Sequence, residues 1–369
     1  MPTLFDPFPL RNLTLVNRLG VAPMCQYSAG IDGAPTPWHQ VHLGAFAQGG
    51  FGLILTEATA VCPGGRISAH DVGLWNDRQA EAWKSVTGFV HTQTRRLPDG
   101  TEVPVRIGVQ LAHAGRKASV YQGFPGQPRG SVPLDQGGWQ TLGPSAVAFD
   151  GYRPPLAMDI EQIDEVVDQF AAAAQRAEQA GFDIVEIHAA HGYLLHEFLS
   201  PLSNQRTDEY GGNFENRARL LLRVVDAIRP VWQGPLFVRI SGTDWVPGGW
   251  TGDDSVELAR LLKQHQVDLV DVSSGGNQQA RVPLAQGHQV EFADRVRNEA
   301  GIAASAVGLI VDPDYAEAVV EQGRADVVLI ARAALREPHW PQRAAHELGF
   351  TDFAALYPPQ YERGDWALT

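Results

Sequence analysis

The chain has 369 residues, 44% hydrophobic and 19% charged, a mix that excludes a disordered or fibrous protein. Its 29 basic and 42 acidic side chains leave a formal charge of −13, so no cationic excess exists to neutralise a nucleic acid or an anionic membrane. Two cysteines, Cys25 and Cys62, are too few for a disulfide framework or an iron–sulfur site. With no secretory signal and no apolar run of about 18 residues, this predicts a cytoplasmic protein without a membrane span.

In chain order, runs rich in valine, isoleucine and leucine predict buried strands at 19–23, 52–56, 105–111, 183–188, 236–240, 269–272, 303–307 and 326–330. They lack polar alternation, as strands covered on both faces do. Helical patterns lie between them. His39 and His42 fall on a helix and read as surface or interface groups. Residues 94–104 form a polar insertion. Residues 121–155 form a long loop rich in glycine and proline, either a packed decoration or a lid. A helix over 159–180 starts at Asp159 and stops at Gly181. Further helices are expected at 216–232, at 253–266 under an Asp253 or Asp254 cap, from Asp312-Pro313, and at 336–348. Eight strand–helix units predict an α/β fold, a single (β/α)8 TIM barrel spanning 1–369 with a long loop after strand 3. Neither a Gly-x-Gly-x-x-Gly nor a P-loop spacing occurs.

Active sites of such barrels lie at the C-terminal ends of the strands. Strand 4 runs into His188, His191 and Tyr193. Paired histidines can ligate a metal, but no third ligand or His-Glu-x-x-His pattern supports one, so no metal is expected. Two imidazoles can instead polarise one oxygen while a tyrosine supplies a proton. Strand 1 ends in Ala22, Pro23, Met24, Cys25 and Tyr27; Cys25 reads as an inert thiol, a nucleophile without a supporting motif, or a group tuning a redox cofactor. Gln110 ends strand 3, before Arg116 and Lys117. Arg239 ends strand 5 and calls for an anion or electron-rich ring if no carboxylate accompanies it. Gly308 after strand 7 and Arg332 after strand 8 suit a phosphate.

With these residues in view, the chain resembles the Old Yellow Enzyme family of FMN-dependent ene-reductases, in its thermophilic-like branch. The likeness runs from Leu4-Phe5 and Asn17-Arg18 through Pro23-Met24-Cys25, residues 110–117 and 186–193. It continues through the specific run 198–212, Phe-Leu-Ser-Pro-Leu-Ser-Asn-Gln-Arg-Thr-Asp-Glu-Tyr-Gly-Gly, to 360–364. The resemblance implies FMN held by Ala22, Pro23, Met24, Cys25, Ala58, Gln110, Arg239, Gly308, Ala331 and Arg332. It implies NADPH as hydride donor and an α,β-unsaturated carbonyl substrate, with nitro compounds and nitrate esters also in the class, reduced in ping-pong fashion. His188 and His191 would bind the substrate oxygen, Tyr193 would donate the proton, Cys25 would modulate the flavin, and Tyr27 would bind substrate. The tail, 360–369, would reach a neighbouring subunit's site through Arg363 in a homodimer or homotetramer. Ala22 and Ala331 stand where the branch often has serine and glycine, and Asp365 is an extra residue in the tail. The competing readings are a cofactor-free barrel lyase or isomerase acting on a phosphorylated substrate, and a non-catalytic ligand-binding protein. The first lacks a lysine ending a strand; the second leaves His188, His191 and Tyr193 without a purpose.

Overall fold

In the computed structural model, which describes residues 1–366 apart from the side chains of Phe353 and Glu362, all eight apolar runs form strands. They are β1 (Leu19–Val21), β2 (Leu53–Ala60), β3 (Arg106–Ala112), β4 (Ile184–Ala189), β5 (Leu236–Ser241), β6 (Leu269–Ser273), β7 (Ala303–Ala306) and β8 (Val327–Ile330). Each strand pairs in parallel with the next, and β8 closes on β1 through Ile330 and Val21. The helices are α1 (Pro37–Gln48), α2 (Asp77–His91), α3 (Ile160–Gln179), α4 (Leu194–Leu199), α5 (Phe214–Ile228), α6 (Gly252–Gln264), α7 (Val290–Arg295), α8 (Pro313–Glu321), α9 (Arg332–Arg336) and α10 (Trp340–Glu347). The expected (β/α)8 barrel is present. Its strands are apolar throughout because helices cover them outside and side chains fill them inside.

The filling is layered, as barrels of this type require. Leu53, Leu55, Ile184, Phe237, Leu269, Val327 and Leu329 occupy the N-terminal part. Above them Gln110 sits beside Glu186, and Arg239 beside Asp271 beside Ser305, forming a polar layer. An N-terminal hairpin, Phe8–Leu10 against Leu13–Leu15, pushes Leu10 and Leu15 into the apolar filling and stops the lower mouth.

Four local expectations change. The insertion at 94–104 is a hairpin, Thr94–Arg96 against Glu102–Pro104, because the buried Arg95 guanidinium donates to the Ala47 and Thr94 carbonyls and ties it to the body. Helix α6 is capped by Thr251, not by Asp253 or Asp254: Thr251 accepts the Asp254 N–H, and the Asp254 carboxylate accepts the Thr251 N–H. Helix α5 begins at Phe214 under an Asn213 cap and ends at Ile228: Arg229 keeps helical geometry, but Pro230 has no N–H to continue the ladder. The helix expected at 336–348 is α10 and begins only at Trp340, after Pro338, which has no N–H to continue a ladder; a separate short helix, α9, precedes it. Among the described residues no helix is long and apolar enough to cross a membrane.

Candidate active site

The segments leaving β1, β2, β3 and β4 meet above the polar layer. Ala58, Ala112, Ala114 and Val120 pack there with Cys25, Tyr27, Trp139, Tyr152 and Tyr193. The long loop reaches the same place: the Gln122 side-chain amide donates to the Tyr27 carbonyl at 3.0 Å, and Phe124 packs edge-on against Tyr27.

Three rings converge at the mouth. His188 lies 5.1 Å from His191 and 5.1 Å from Tyr193, ring centre to ring centre, and nearly perpendicular to both. The Ala190 N–H donates to His188 Nδ1 at 3.3 Å. A neutral His188 therefore carries its proton on Nε2, as a donor. Burial, and then the Arg239 charge, pushes both histidines well below the usual imidazole range, so both are neutral at pH 7. His191 Nε2 is 2.7 Å from Ser273 Oγ. When that hydroxyl donates, the His191 proton sits on Nδ1. Burial also raises the Tyr193 phenol well above its usual value, which keeps it protonated.

The turn carrying these groups is held by several backbone hydrogen bonds. His191 and Gly192 both have positive φ, 59° and 70°, and a Cβ at Gly192 would come within 2.4 Å of the Gly276 carbonyl. The His191 N–H donates to Ser241 Oγ, and the His191 carbonyl accepts from Lys117 Nζ at 2.8 Å. The Gly192 N–H donates to His196 Nδ1 at 2.9 Å. His196 Nε2 then faces Asp244 at 3.1 Å, with both side chains buried. Burial pushes the Asp244 carboxyl up, but His196, Ser200 and the Trp250 N–H outweigh it and hold it at about 2. Lys117 does more than the sequence suggested: it ties β4's turn to the Gly276 carbonyl and sits 5.1 Å from the Tyr193 ring centre. Arg116 is buried and donates to Asn277 and Val147, so it staples loops instead of adding charge to the mouth.

A buried carboxylate closes the same staple from below. Glu197 Oε1 accepts the Arg116 N–H at 2.8 Å, and burial pushes its carboxyl up to about 8 despite Arg116 and Lys117. A carboxyl whose pKa is raised on folding binds more protons folded than unfolded. Its contribution is full below pH 4.5, the unfolded value, and is lost as pH rises toward 8. The loss approaches about 1.4 kcal/mol per pH unit for one proton. Glu197→Gln should therefore flatten the decline of stability between pH 5 and 8, and unfolding midpoints across that window check it. Parallel curves for both proteins would contradict the assignment.

Arg239 corrects an expectation. It does have a carboxylate: Nε lies 2.8 Å from Asp271, which also accepts from Ser305 at 2.8 Å. Gln110 donates to Glu186 Oε1 at 2.8 Å, while Glu186 Oε2 is buried without a partner. Burial, and then Asp271, drives the Glu186 carboxyl upward. Two carboxyls thus share one guanidinium beneath the mouth.

Farther round the rim, a cavity of about 290 Å³ is lined by Ser273, Gln289, Gly308, Ala331, Arg332 and Arg336. Gly308 has φ 130°, and a Cβ there would meet the Gln289 side chain at 3.0 Å, so backbone is left open to a ligand. Exposed Arg332 adds charge at the start of α9. A phosphate suits this cavity, and an electron-rich ring suits the Arg239 layer; together these residues fit FMN. Ala22 and Ala58 are buried and Pro23, Met24 and Cys25 half-buried along the path between them. Burial raises the Cys25 thiol well above its usual value, so it is not a thiolate nucleophile. Among the described residues no group of three or more His, Cys, Asp or Glu could hold a metal.

One expected placement differs. His39 is no surface group; it is 1% exposed and bonded to Glu57. Arg363 is exposed in the turn Pro359–Gly364, whose Tyr361 packs by His339. That segment continues from Ala354 and Tyr357, beside the 94–96 strand at the N-terminal end of the barrel, so Arg363 is not brought to this mouth within one chain. Residues 367–369 of the tail lie outside the described residues. Sequence reasoning missed Glu186 and Asp271 as parts of the polar layer and gave Ser273 and Lys117 no specific contact. The usable signal was an acid inside an apolar strand, which Glu186 and Asp271 both show.

Residues 3–350 match the model of the NADH:flavin oxidoreductase / NADH oxidase family. The chain is 47% identical over 363 residues to an NADPH dehydrogenase of Geobacillus thermodenitrificans (strain NG80-2), covering 98% of each. It is 44% identical to an NADPH dehydrogenase of Bacillus subtilis (strain 168), again over 98% of each. Among solved structures, morphinone reductase in complex with tetrahydroNAD superposes with a TM-score of 0.76 at 29% identity, covering 99% of this chain and 96% of that one. An old yellow enzyme homologue from Zymomonas mobilis gives 0.76 at 28%, covering 97% and 98%.

Proposed function

The chain belongs to the NADH:flavin oxidoreductase / NADH oxidase family, that of the Old Yellow Enzymes, and is an oxidoreductase; from that membership we propose that it is an FMN-dependent ene-reductase. Its substrates are α,β-unsaturated carbonyl compounds, with nitro compounds and nitrate esters as further candidates, and NADPH is the electron donor in a ping-pong cycle. The observation that carries this reading is the convergence of His188, His191 and Tyr193 above a polar layer.

When bound, FMN would supply the hydride chemistry that couples NADPH oxidation to saturation of the alkene. Gln110, Arg239, Gly308, Ala331 and Arg332 would hold it, with Ala22, Pro23, Met24, Cys25 and Ala58 along its length. His188, from Nε2, and His191 donate hydrogen bonds to the substrate oxygen and draw charge toward it. Because both rings are neutral, they polarise the carbonyl without protonating it. Tyr193 holds the proton that goes to the α-carbon, so hydride and proton together saturate the double bond. Tyr27 flanks the substrate. Arg363, remote from this mouth in its own chain, is assigned to a neighbouring subunit's site in a homodimer or homotetramer. Both cysteines are free, which suits a cytoplasmic enzyme.

The absorption spectrum of the purified protein tests the reading. Flavin bands near ~450 nm, or their appearance on adding FMN, are expected, followed by NADPH-dependent consumption of cyclohex-2-enone. A protein that neither carries nor takes up FMN would overturn it.

A further inference from the structure

Glu57 is an acid in the middle of an apolar strand, and none of the residues assigned above accounts for it. The pairing of β2 with β3 shifts register between Leu55 and Ala58. An extra residue in a strand re-aims the side chains around it. Here it turns Glu57 out of the barrel wall into the space between α1 and the segment leaving β1. There Glu57 is 4% exposed. Its Oε2 accepts the Gln26 N–H at 2.7 Å and the Tyr27 N–H at 3.3 Å. Its Oε1 accepts from His39 Nε2 at 3.1 Å.

The histidine is oriented in turn. The Thr36 N–H donates to His39 Nδ1 at 2.9 Å, which places the ring proton on Nε2, facing Glu57. Thr36 Oγ1 donates to the Ser28 carbonyl at 3.0 Å. Trp83 packs edge-on against the His39 ring, 5.9 Å between centres. The chain of bonds therefore grips residues 26–28 at both ends. What it grips is strained: Tyr27 has φ 50°, a left-handed conformation that a tyrosine rarely adopts. Such a residue stays put only where its surroundings over-determine it. Tyr27 and Cys25, two residues apart, pack against the same small apolar cluster around Ala58.

We infer that Glu57, oriented by His39, is a positioning residue that sets the placement of Cys25 and Tyr27, and through them both the cofactor's potential and the affinity for substrate. Glu57 touches neither ligand; it acts through two backbone N–H groups. The inference rests on the proposed function, because it takes Cys25 to face the flavin and Tyr27 the substrate.

The test uses Glu57→Gln, His39→Leu and His39→Gln in the FMN-loaded protein. Glutamine at 57 has one oxygen where the carboxylate has two, so it cannot serve the backbone and His39 together. Leucine at 39 removes the donor to Glu57, while glutamine restores one. In Glu57→Gln and His39→Leu, the KM for cyclohex-2-enone should rise about tenfold with kcat changed less than threefold. The flavin midpoint should move by about 15 mV or more, the two-electron equivalent of a threefold change in the reduced-to-oxidised ratio. His39→Gln should return both toward wild type. A KM and a midpoint unchanged in Glu57→Gln and His39→Leu would overturn the inference, as would equal defects in both His39 variants. Wild-type protein that takes up no FMN would instead overturn the proposed function, and the inference with it.

Discussion

Tyr193→Phe is expected to slow enone reduction by roughly 10²- to 10⁴-fold, the usual worth of a positioned proton donor, while flavin bleaching by NADPH changes by less than about threefold. The substitution removes one hydroxyl and leaves the ring. Its packing against His188 and its place beneath Lys117 both survive, so the turn at 191–193 keeps its shape. Only the half of the cycle that needs a proton on carbon should then suffer. Stopped-flow measurement of the two half-reactions, each started separately, decides it. Equal slowing of both would show that Tyr193 shapes the pocket and donates nothing. The phenol is suited to the task because burial holds its proton against loss to solvent, and a donor that has already ionised has nothing to give.

Arg239→Ala should weaken FMN binding by two orders of magnitude or more. Removing one partner of a buried ion pair strands the other, at about 3–5 kcal/mol. Here the stranded group is Asp271, and Glu186 stands in the same layer with an unpartnered oxygen. The variant thus loses a cation for the ligand and leaves carboxyls facing it. Arg239→Lys keeps the charge without the planar fork and should fall between the two. Titration with FMN, followed by quenching of flavin fluorescence, measures all three proteins. Wild-type affinity in both variants would remove the ligand role from this arginine. A melting curve separates loss of affinity from loss of the barrel.

The barrel was legible because its logic is local. An apolar run of about five residues followed by a capped amphipathic helix can be read residue by residue. Asp159 and Asp312 cap the helices expected to start there, and Gly181 follows α3 with φ 82°. The rim histidines and tyrosine were legible for the same reason, since a strand's C-terminal end is a position in the sequence. What could not be read is whatever depends on register between distant strands. Asp271 meets Arg239 because β6 lies beside β5 in one particular alignment; nothing within either strand declares it. Ser273 reaches His191 across 82 positions of sequence. His39 looked like a surface residue because α1 shows no clear apolar stripe: Trp38 and Val41 are exposed beside Gln40 while His39 is buried. Only the shift of register within β2 brings Glu57 out to meet it. Lys117 follows strand 3 in the sequence, but its bridge between the His191 and Gly276 carbonyls joins loops after β4 and β6 and depends on the closed barrel.

The closure of β8 on β1 bears on how the molecule comes to be folded. The first strand has no neighbour on one side until the last has been made, and the hairpin at 8–15 lines a cavity that does not exist before then. The Leu4 N–H meets Glu317, and Arg18 donates to the Asp326 carbonyl, contacts spanning 313 and 308 positions. Contacts of that separation form late, since the chain between them must first be drawn together. During synthesis the first fifty residues therefore wait, with β1's edge and the apolar hairpin uncovered, for segments made at the far end of the chain. That interval is when such a chain is most exposed to pairing with the wrong partner.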